Sequence, residues 1–516
     1  MGIFCMVSTD HKLRGARSAA PKLSARTRLH RHHKFGPPGL APIVALCLVV
    51  FFLGLAARAD GHDRTASSEY RERVNLLETW IEAVLDFDRL PGMSIAVVHD
   101  QELVFAKGFG YADVERSVKA TPGTIYSICS ISKLYTAIGL MQLRDAGKLA
   151  LDDQVSKHLP WFAPEMISGD APSPTLRDLL RHSSGLPCEP DHTVWPDPER
   201  LNPSREDLIQ RVSALKMSYP TNIELNYSNL GYSLLGEVIS VSSGLSYEEY
   251  VQKHIVDRLG MEATTPYMPE QIPGGEVAVG YGRWPRQGSR VRVPVRDQRA
   301  MSPASAFAST VEDLAKFAMW QFRVLDEKET DVLSPQSLRE MQTVQWSDPD
   351  WGLGFAIWQM EGKQFFGHQG GCPGFKSQII LCPEEKIAVA VMINATDAPQ
   401  FTLVFRAYEI MAPALKAATG EEEGPDKWAR YAGYYTADES WSEAEVLEWD
   451  GSLAVMWVPT PDPVGSLVRM QRVEGEVFRQ VKGDGELGKH YVFRADSAGD
   501  IVGMRFNNNL LKKTVR

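Results

Sequence analysis

The sequence predicts a mixed α/β (α+β) protein: an antiparallel sheet flanked by helices, with a helical lobe inserted in the middle and a barrel-like all-β domain after it. Three observations predict this. Apolar strand patterns stand at both ends of the stretch 90–394, and helix-period patterns with long loops fill most of the interval. A charged, breaker-rich segment, Gly420-Glu421-Glu422-Glu423-Gly424-Pro425, then precedes a run of short strands. At 516 residues the chain is also long for one ordinary core. The order strands, helices, strands suggests one sheet built from both ends of its domain.

The first 59 residues read as export machinery, either a signal peptide or a membrane anchor. Basic residues are scattered from Lys12 to Lys34, an apolar run extends over 40–57, and Ala57-Arg58-Ala59 has the small-x-small pattern of a cleavage site. The run sits at the lower edge of membrane-spanning length, so anchoring through residues 40–57 stands beside cleavage. Either outcome puts the rest of the chain outside the cytoplasm, periplasmic or secreted. Residues 1–59 hold nine of the 55 basic and one of the 65 acidic residues. The remainder, with 46 basic against 64 acidic, carries a formal charge of −18. So acidic a body argues against nucleic acid as a partner, since phosphates require a basic face.

The first folded domain is expected over 60–419. Val74, Leu76, Leu77, Trp80, Ile81, Val84 and Leu85 recur at helical spacing and predict a helix over 71–88, ended by Pro91-Gly92. Residues 93–98 and 103–106 read as two strands joined at His99-Asp100-Gln101. Ser309-Thr310-Val311-Glu312 reads as a capping box opening a helix through Phe317 and Trp320. Strands return from Trp351 to Asn394, with 379–381 and 387–393 flanking the turn Pro383-Glu384-Glu385-Lys386, and a helix follows near 401–416. Beyond the linker, 425–516 is expected to be all β. Residues 445–449 and 453–457 around Asp450-Gly451 are a strong hairpin signal, followed by strands near 473–481, 491–494 and 501–506.

Of six cysteines, Cys5 and Cys47 fall in the export segment, leaving Cys129, Cys188, Cys372 and Cys382 in a compartment that permits disulfides. Four cysteines allow three full pairings, and simple burial of some is the alternative.

The chemistry centres on Ser130-Ile131-Ser132-Lys133, at the start of an apolar helix pattern that runs to Gly147. A serine hydroxyl needs a base within hydrogen-bond reach, and on a helix residues i and i+3 share a face. Ser213 and Lys216 repeat the spacing, but Tyr219-Pro220 breaks the helix at once, so that match is read as chance. Tyr227-Ser228-Asn229 is a second signal: of 16 tyrosines, only Tyr227 has Asn two residues on. A phenol there could relay a proton, and Asn229 could hold a substrate carbonyl. The third is Gly367-His368-Gln369-Gly370-Gly371, read as an edge strand whose N–H groups could face an oxyanion. His368 there could bind a substrate carboxylate or assist proton transfer. The stretch 175–186 reads as a short helix ending at Gly185; its His182 is taken as structural rather than as part of a Ser-His-Asp triad.

Taken together these residues resemble the serine β-lactamase and penicillin-binding-protein superfamily, in its class C-like branch of D-aminopeptidases, D-alanyl-D-alanine carboxypeptidases and esterases. The likeness covers about residues 70–415 and includes Pro91-Gly92-Met93, Ser130-x-x-Lys133, the 176–186 segment, Tyr227-x-Asn229, Leu259-Gly260-Met261 and Gly352-Leu353-Gly354. The C-terminal strands resemble the lipocalin-like barrel of some peptidase-like members. The resemblance implies Ser130 as the acylated nucleophile, with Lys133 and Tyr227 sharing proton transfer and Asn229 orienting the substrate amide. It also implies an oxyanion hole of the Ser130 and Gly371 N–H groups. His368-Gln369-Gly370 stands where β-lactamases proper carry Lys-Thr-Gly, which turns expectation from lactam hydrolysis toward a D-amino-acid-directed peptidase or carboxypeptidase acting on a small peptide. A carboxylesterase acting on small esters, or a β-lactamase, is the alternative, and a non-catalytic cell-wall peptide-binding module is the alternative of another kind. No metal-ligand spacing or phosphate-cradling loop is present, so no cofactor is expected.

Overall fold

The computed structural model describes residues 67–167, 172–190, 202–269, 276–347, 349–416, 428–437, 443–507 and 509–514. The expected export segment 1–59 and the linker 420–425 lie outside the described residues.

Helix α1 (Ser68–Asp88) is capped by the Ser67 side chain, which accepts from the Tyr70 N–H, and ends at Arg89 in a left-handed conformation. Its apolar stripe, Leu76, Leu77, Trp80, Ile81 and Leu85, is buried. Strands β1 (Gly92–His99), β2 (Glu102–Asp113) and β3 (Val118–Lys119) follow, with Asp100 at φ 52° in the tight β1–β2 turn. The chain then enters the helical lobe, which includes α2 (Ser132–Asp145), α3 (Leu176–Leu180), α4 (Asn229–Ser243) and α5 (Val311–Leu325). It returns through β4 (Ala356–Met360), β5 (Lys363–Cys372), β6 (Phe375–Cys382) and β7 (Ile387–Ile393), and α6 (Gln400–Lys416) closes the domain.

The seven strands form one sheet in the order β3-β2-β1-β7-β6-β5-β4. Its centre is the antiparallel pair β1–β7, in register at Ala96↔Ala390, so the first and last strands of the domain meet in the middle. Side chains alternate across a strand, and both faces here are covered. Ile95, Val97, Val389 and Val391 join α1 and α6 in one apolar cluster, while Ala96, Val98, Ala388 and Ala390 join the helical lobe in another. That double covering explains why β7 reads Ile-Ala-Val-Ala-Val-Met-Ile with every residue buried.

Two local expectations shift. The capping residue of α5 is Thr310, accepting from the Asp313 N–H, not Ser309. Ser309 pairs with Tyr126 in a two-stranded ladder, and its hydroxyl meets Thr264 at 2.7 Å. No capping box forms, because the Asp313 carboxylate accepts instead from the Ala263 N–H and the Thr264 hydroxyl, both at 2.9 Å. Thr310→Ala is expected to lower stability by about 1 kcal/mol, and Ser309→Ala to leave the helix end intact; chemical denaturation of both variants checks the assignment. Second, α3 ends at Leu180 rather than near Gly185, and His182 takes a left-handed φ of 58°.

The C-terminal strands β8 (Gly433–Thr436), β9 (Glu443–Trp449), β10 (Ser452–Val458), β11 (Val468–Glu474), β12 (Val477–Val481), β13 (Leu487–Ala495), β14 (Ile501–Phe506) and β15 (Asn509–Thr514) form a closed antiparallel barrel. The stretch read as one strand over 473–481 holds the end of β11, the turn 475–476 and all of β12. Tyr431, Tyr435, Phe478, Tyr491, Phe493 and Met504 pack together as the barrel's core. The barrel docks on α1 and α6: the Trp80 indole N–H donates to the Thr460 carbonyl at 2.9 Å, and the Arg406 guanidinium donates to the Pro461 carbonyl at 3.1 Å. It therefore sits on the sheet face opposite the helical lobe.

Candidate active site

The strand-to-helix junction that carries Ser130 is tightly tied. Cys129–Ile131 forms one 3₁₀ turn that runs directly into α2. Cys129 has φ 49°, an uncommon conformation for a residue with a side chain. Three ties hold it. The Ile128 N–H donates to the Phe307 carbonyl at 2.9 Å, the Ser377 hydroxyl donates to the Ile128 carbonyl at 2.8 Å, and Cys129 is disulfide-bonded to Cys372 with Cα atoms 5.8 Å apart. Neither Cys188 nor Cys382 is in a disulfide, so of the four described cysteines one pair is joined.

From α2, Lys133 reaches back as the i+3 spacing requires, placing Nζ 3.3 Å from Ser130 Oγ. The side chain is fully buried and donates also to Asn229 Oδ1 at 2.7 Å and to the Ala304 carbonyl at 2.8 Å. It lies 4.8 Å from the Tyr227 ring centre and 5.5 Å from that of Tyr232. None of these partners is anionic, and burial lowers the ammonium pKa to about 7, with neighbouring Cys188 and Glu189 opposing the shift. A buried lysine neutral near pH 7 is able to accept a proton from the hydroxyl beside it.

Tyr227 and Asn229 arrive from a segment pinned by His182. The Ser228 N–H donates to His182 Nδ1 at 3.1 Å, and the His182 ring packs 4.3 Å from that of Tyr227. Burial, then Lys133 and His368, hold His182 well below the usual imidazole pKa, so it is a neutral support. Asn229 sits in the first turn of α4, whose cap is Ser228, with its side chain turned to Lys133. Both ends of its amide are engaged: Oδ1 with Lys133, and Nδ2 with Glu189 Oε1 at 2.6 Å.

His368 comes from β5. Its ring centre lies 6.3 Å from that of Tyr227 and 5.6 Å from that of Trp351. The ring is buried, shares a 2.6 Å hydrogen bond between Nδ1 and the Gln369 carbonyl, and has a pKa lowered to about 3 by burial and by Lys133. It is therefore uncharged at neutral pH. Any hydrogen bond it makes to a substrate carboxylate would therefore come from a neutral ring, since desolvation disfavours the charged one. The expected edge strand is partial. β4 pairs with β5 only from Lys363 to Gly367, so among the described residues 368–372 have a strand neighbour on one side alone. Gly370 must be glycine there: a Cβ would stand 2.1 Å from Ser377 Oγ and 2.2 Å from the Ile128 carbonyl. Gly371, the second expected oxyanion donor, directly precedes Cys372, as Cys129 directly precedes Ser130.

The structure thus brings Ser130, Lys133, Tyr227, Asn229, His368, Gly370 and Gly371 to one place. Ser213 and Lys216 lie elsewhere, with Lys216 exposed and paired to Glu165 at 3.5 Å. Sequence reasoning passed over Ala304, Trp351, Cys188 and Glu189. A backbone carbonyl leaves no sequence signal, and nothing in the spacing ties 188–189 to 229. Among the described residues, no group of three or more His, Cys, Asp or Glu is placed to hold a metal, and no helix is long and apolar enough to cross a membrane.

A family model described as Beta-lactamase matches residues 77–409, which is most of the sheet domain and every residue of this site. The chain belongs to the Beta-lactamase family. The chain is 29% identical to Protein flp of Staphylococcus aureus strain MW2 over 322 residues, 62% of either chain, so it spans under two thirds of that relative's length. The octameric penicillin-binding protein homologue from Pyrococcus abyssi is similar in structure, with TM-score 0.57 and 25% identity over 85% of this chain and all of that one. A D-stereospecific amidohydrolase from Streptomyces shares the fold, with TM-score 0.55 and 23% identity over 64% of this chain and 97% of its own.

Proposed function

We propose that this chain cleaves amide or ester bonds through an acyl-enzyme on Ser130, with peptides carrying D-residues as its leading substrate class. One observation carries the reading: a fully buried lysine amine, with no anionic hydrogen-bond partner among the described residues, 3.3 Å from a serine hydroxyl. Lys133 takes the hydroxyl proton as Oγ attacks the substrate carbonyl carbon. The carbonyl oxygen becomes an oxyanion facing the N–H groups of Ser130 and Gly371. Collapse expels the amine or alcohol, which receives the proton through Lys133 and Tyr227, and water then hydrolyses the ester. The preference for D-residues over lactams rests on His368-Gln369-Gly370 in place of a lysine-bearing strand, and the likeness in fold to a D-stereospecific amidohydrolase supports it. The disulfide beside Ser130 suits an oxidising compartment and supports export.

Labelling of the wild type by a fluorophosphonate or a labelled penicillin, and its loss in Ser130→Ala, tests the acyl-enzyme. Absence of labelling under all conditions would favour the binding module instead. A panel of D-amino-acid amides, D-Ala-D-Ala peptides, short-chain esters and a chromogenic cephalosporin ranks the substrate classes.

A pH profile follows from the same geometry. Lys133 acts when neutral, so kcat/KM should rise through about pH 7 and level off above it. His368 and His182 are held low and titrate below this limb. A profile flat from pH 5 to 9 would remove Lys133 as the base.

A further inference from the structure

Next to the catalytic pair lies a carboxylate for which the proposed reaction has no step. Glu189 stands on the loop that follows α3, partly exposed, with Oε1 accepting from Asn229 Nδ2 at 2.6 Å. The same loop fixes the backbone of α4: the N–H groups of Asn229 and Leu230 donate to the Cys188 carbonyl at 2.9 and 3.0 Å. A side-chain amide has two ends and can be turned either way. For Oδ1 to face the Lys133 amine at 2.7 Å, the NH₂ end must face elsewhere, and Glu189 is the acceptor waiting for it. The hydrogen bonds run in one line, from Ser130 through Lys133 and Asn229 to Glu189.

The geometry points to Glu189 as a positioning residue for the proposed acylation: it fixes the direction of the Asn229 amide and thereby the place and the proton balance of the Lys133 amine. With Glu189 ionised, the NH₂ end is held by a charge-assisted bond and Oδ1 stays on the lysine. With that acceptor gone, the NH₂ end keeps only the long 3.9 Å contact to Cys188 Sγ among the described residues, and a turned amide would set a donor against the Lys133 amine and displace it from Ser130.

The groups facing Lys133 come from five elements, and only one of them is an ordinary carboxylate. Ser130 lies on the preceding turn, with Asn229 and Tyr232 on α4 and Tyr227 just before it. The Ala304 carbonyl comes from the short helix Ser302–Ser305, His368 from β5, and His182, Cys188 and Glu189 from the stretch after α3. The imidazoles are neutral, and Cys188 forms no disulfide. Glu189 is thus the carboxylate that, with Cys188 beside it, favours the ammonium form against the burial that disfavours it.

This inference rests on the acyl-enzyme reading, and its test separates the two. Glu189→Gln keeps an acceptor oxygen but removes the charge; Glu189→Ala removes both. Each is made in the full chain and followed by kcat and KM across pH 5 to 9, with thermal melting as the control for folding. Expected for Glu189→Gln is a rising limb displaced to lower pH by about half a unit or more, since loss of an anion lets the lysine lose its proton earlier. Expected for Glu189→Ala is the same displacement with kcat reduced about tenfold or more and KM little changed, because the amide is no longer held. Limbs and kcat that coincide with wild type in both variants would overturn the role, as would a change confined to KM, which would mark Glu189 as a substrate contact. If wild type itself shows neither Ser130 labelling nor a rising limb, the acyl-enzyme reading has failed. If wild type shows both and the variants move neither limb nor kcat, only the role of Glu189 has failed.

Discussion

Ser130→Ala is expected to lower turnover by about 10³-fold or more while leaving the melting temperature nearly unchanged. The hydroxyl is one atom on a partly exposed residue, and its hydrogen bond is to Lys133 Nζ at 3.3 Å. Removing it leaves the lysine with Asn229 Oδ1 at 2.7 Å and the Ala304 carbonyl at 2.8 Å, so no buried amine is stranded. The turn itself is held by backbone and disulfide ties that do not involve the hydroxyl. A stability change within about 0.5 kcal/mol is therefore expected, as for other substitutions that remove no packing. The measurement is steady-state turnover on the best substrate of the panel, together with calorimetry. Turnover near the wild-type level would mean that the bond is cut by something other than Ser130, and the neighbouring lysine would then need another explanation.

How much of this was readable beforehand depends on the distance over which the deciding interaction acts. Ser130 and Lys133 are three residues apart on a helical path, so their meeting follows from backbone geometry alone. The hairpin at Asp450-Gly451 is local too; it forms as expected, with both turn residues at positive φ. The cap of α5 slipped by one residue because two adjacent hydroxyls, Ser309 and Thr310, both suit the position, and a long-range ladder to Tyr126 claimed Ser309. Tyr227 and His368 are distant from Ser130 in sequence, and only family likeness tied them to it. What stayed hidden is what tertiary packing alone decides: which cysteines meet, which carbonyl receives the lysine, and that Glu189 turns toward Asn229. The charge of His368 belongs here as well. Glycine neighbours give no sign of burial, yet β6, Trp351 and Tyr227 bury it and leave it neutral.

Breaking the Cys129–Cys372 bond is the second change expected to have a large effect, on both rate and stability. The bond joins residues 243 apart in sequence. Chain-entropy reasoning puts the stabilisation from closing so long a loop at about 5 kcal/mol as an upper bound. Its position matters as much as its length. Cys129 adjoins Ser130 and Cys372 adjoins Gly371, so one bond fixes the spacing of the two residues whose N–H groups are proposed to receive the oxyanion. The tight seat of Gly370 against the Ile128 carbonyl and Ser377 shows how little room separates β5 from the nucleophile turn. A displacement of about 1 Å at such a junction is worth about 10²-fold in rate. Reduction by a thiol under native conditions is expected to lower kcat by about that factor and to lower the melting temperature, with recovery on reoxidation. Cys129→Ser should show both losses without thiol, and no further loss when thiol is added, since Cys188 and Cys382 are already reduced. Should the reduced protein, with four free thiols counted in the described cysteines, turn over at the oxidised rate, the strand and the turn are held together by their hydrogen bonds alone. The oxyanion site would then owe nothing to the bond.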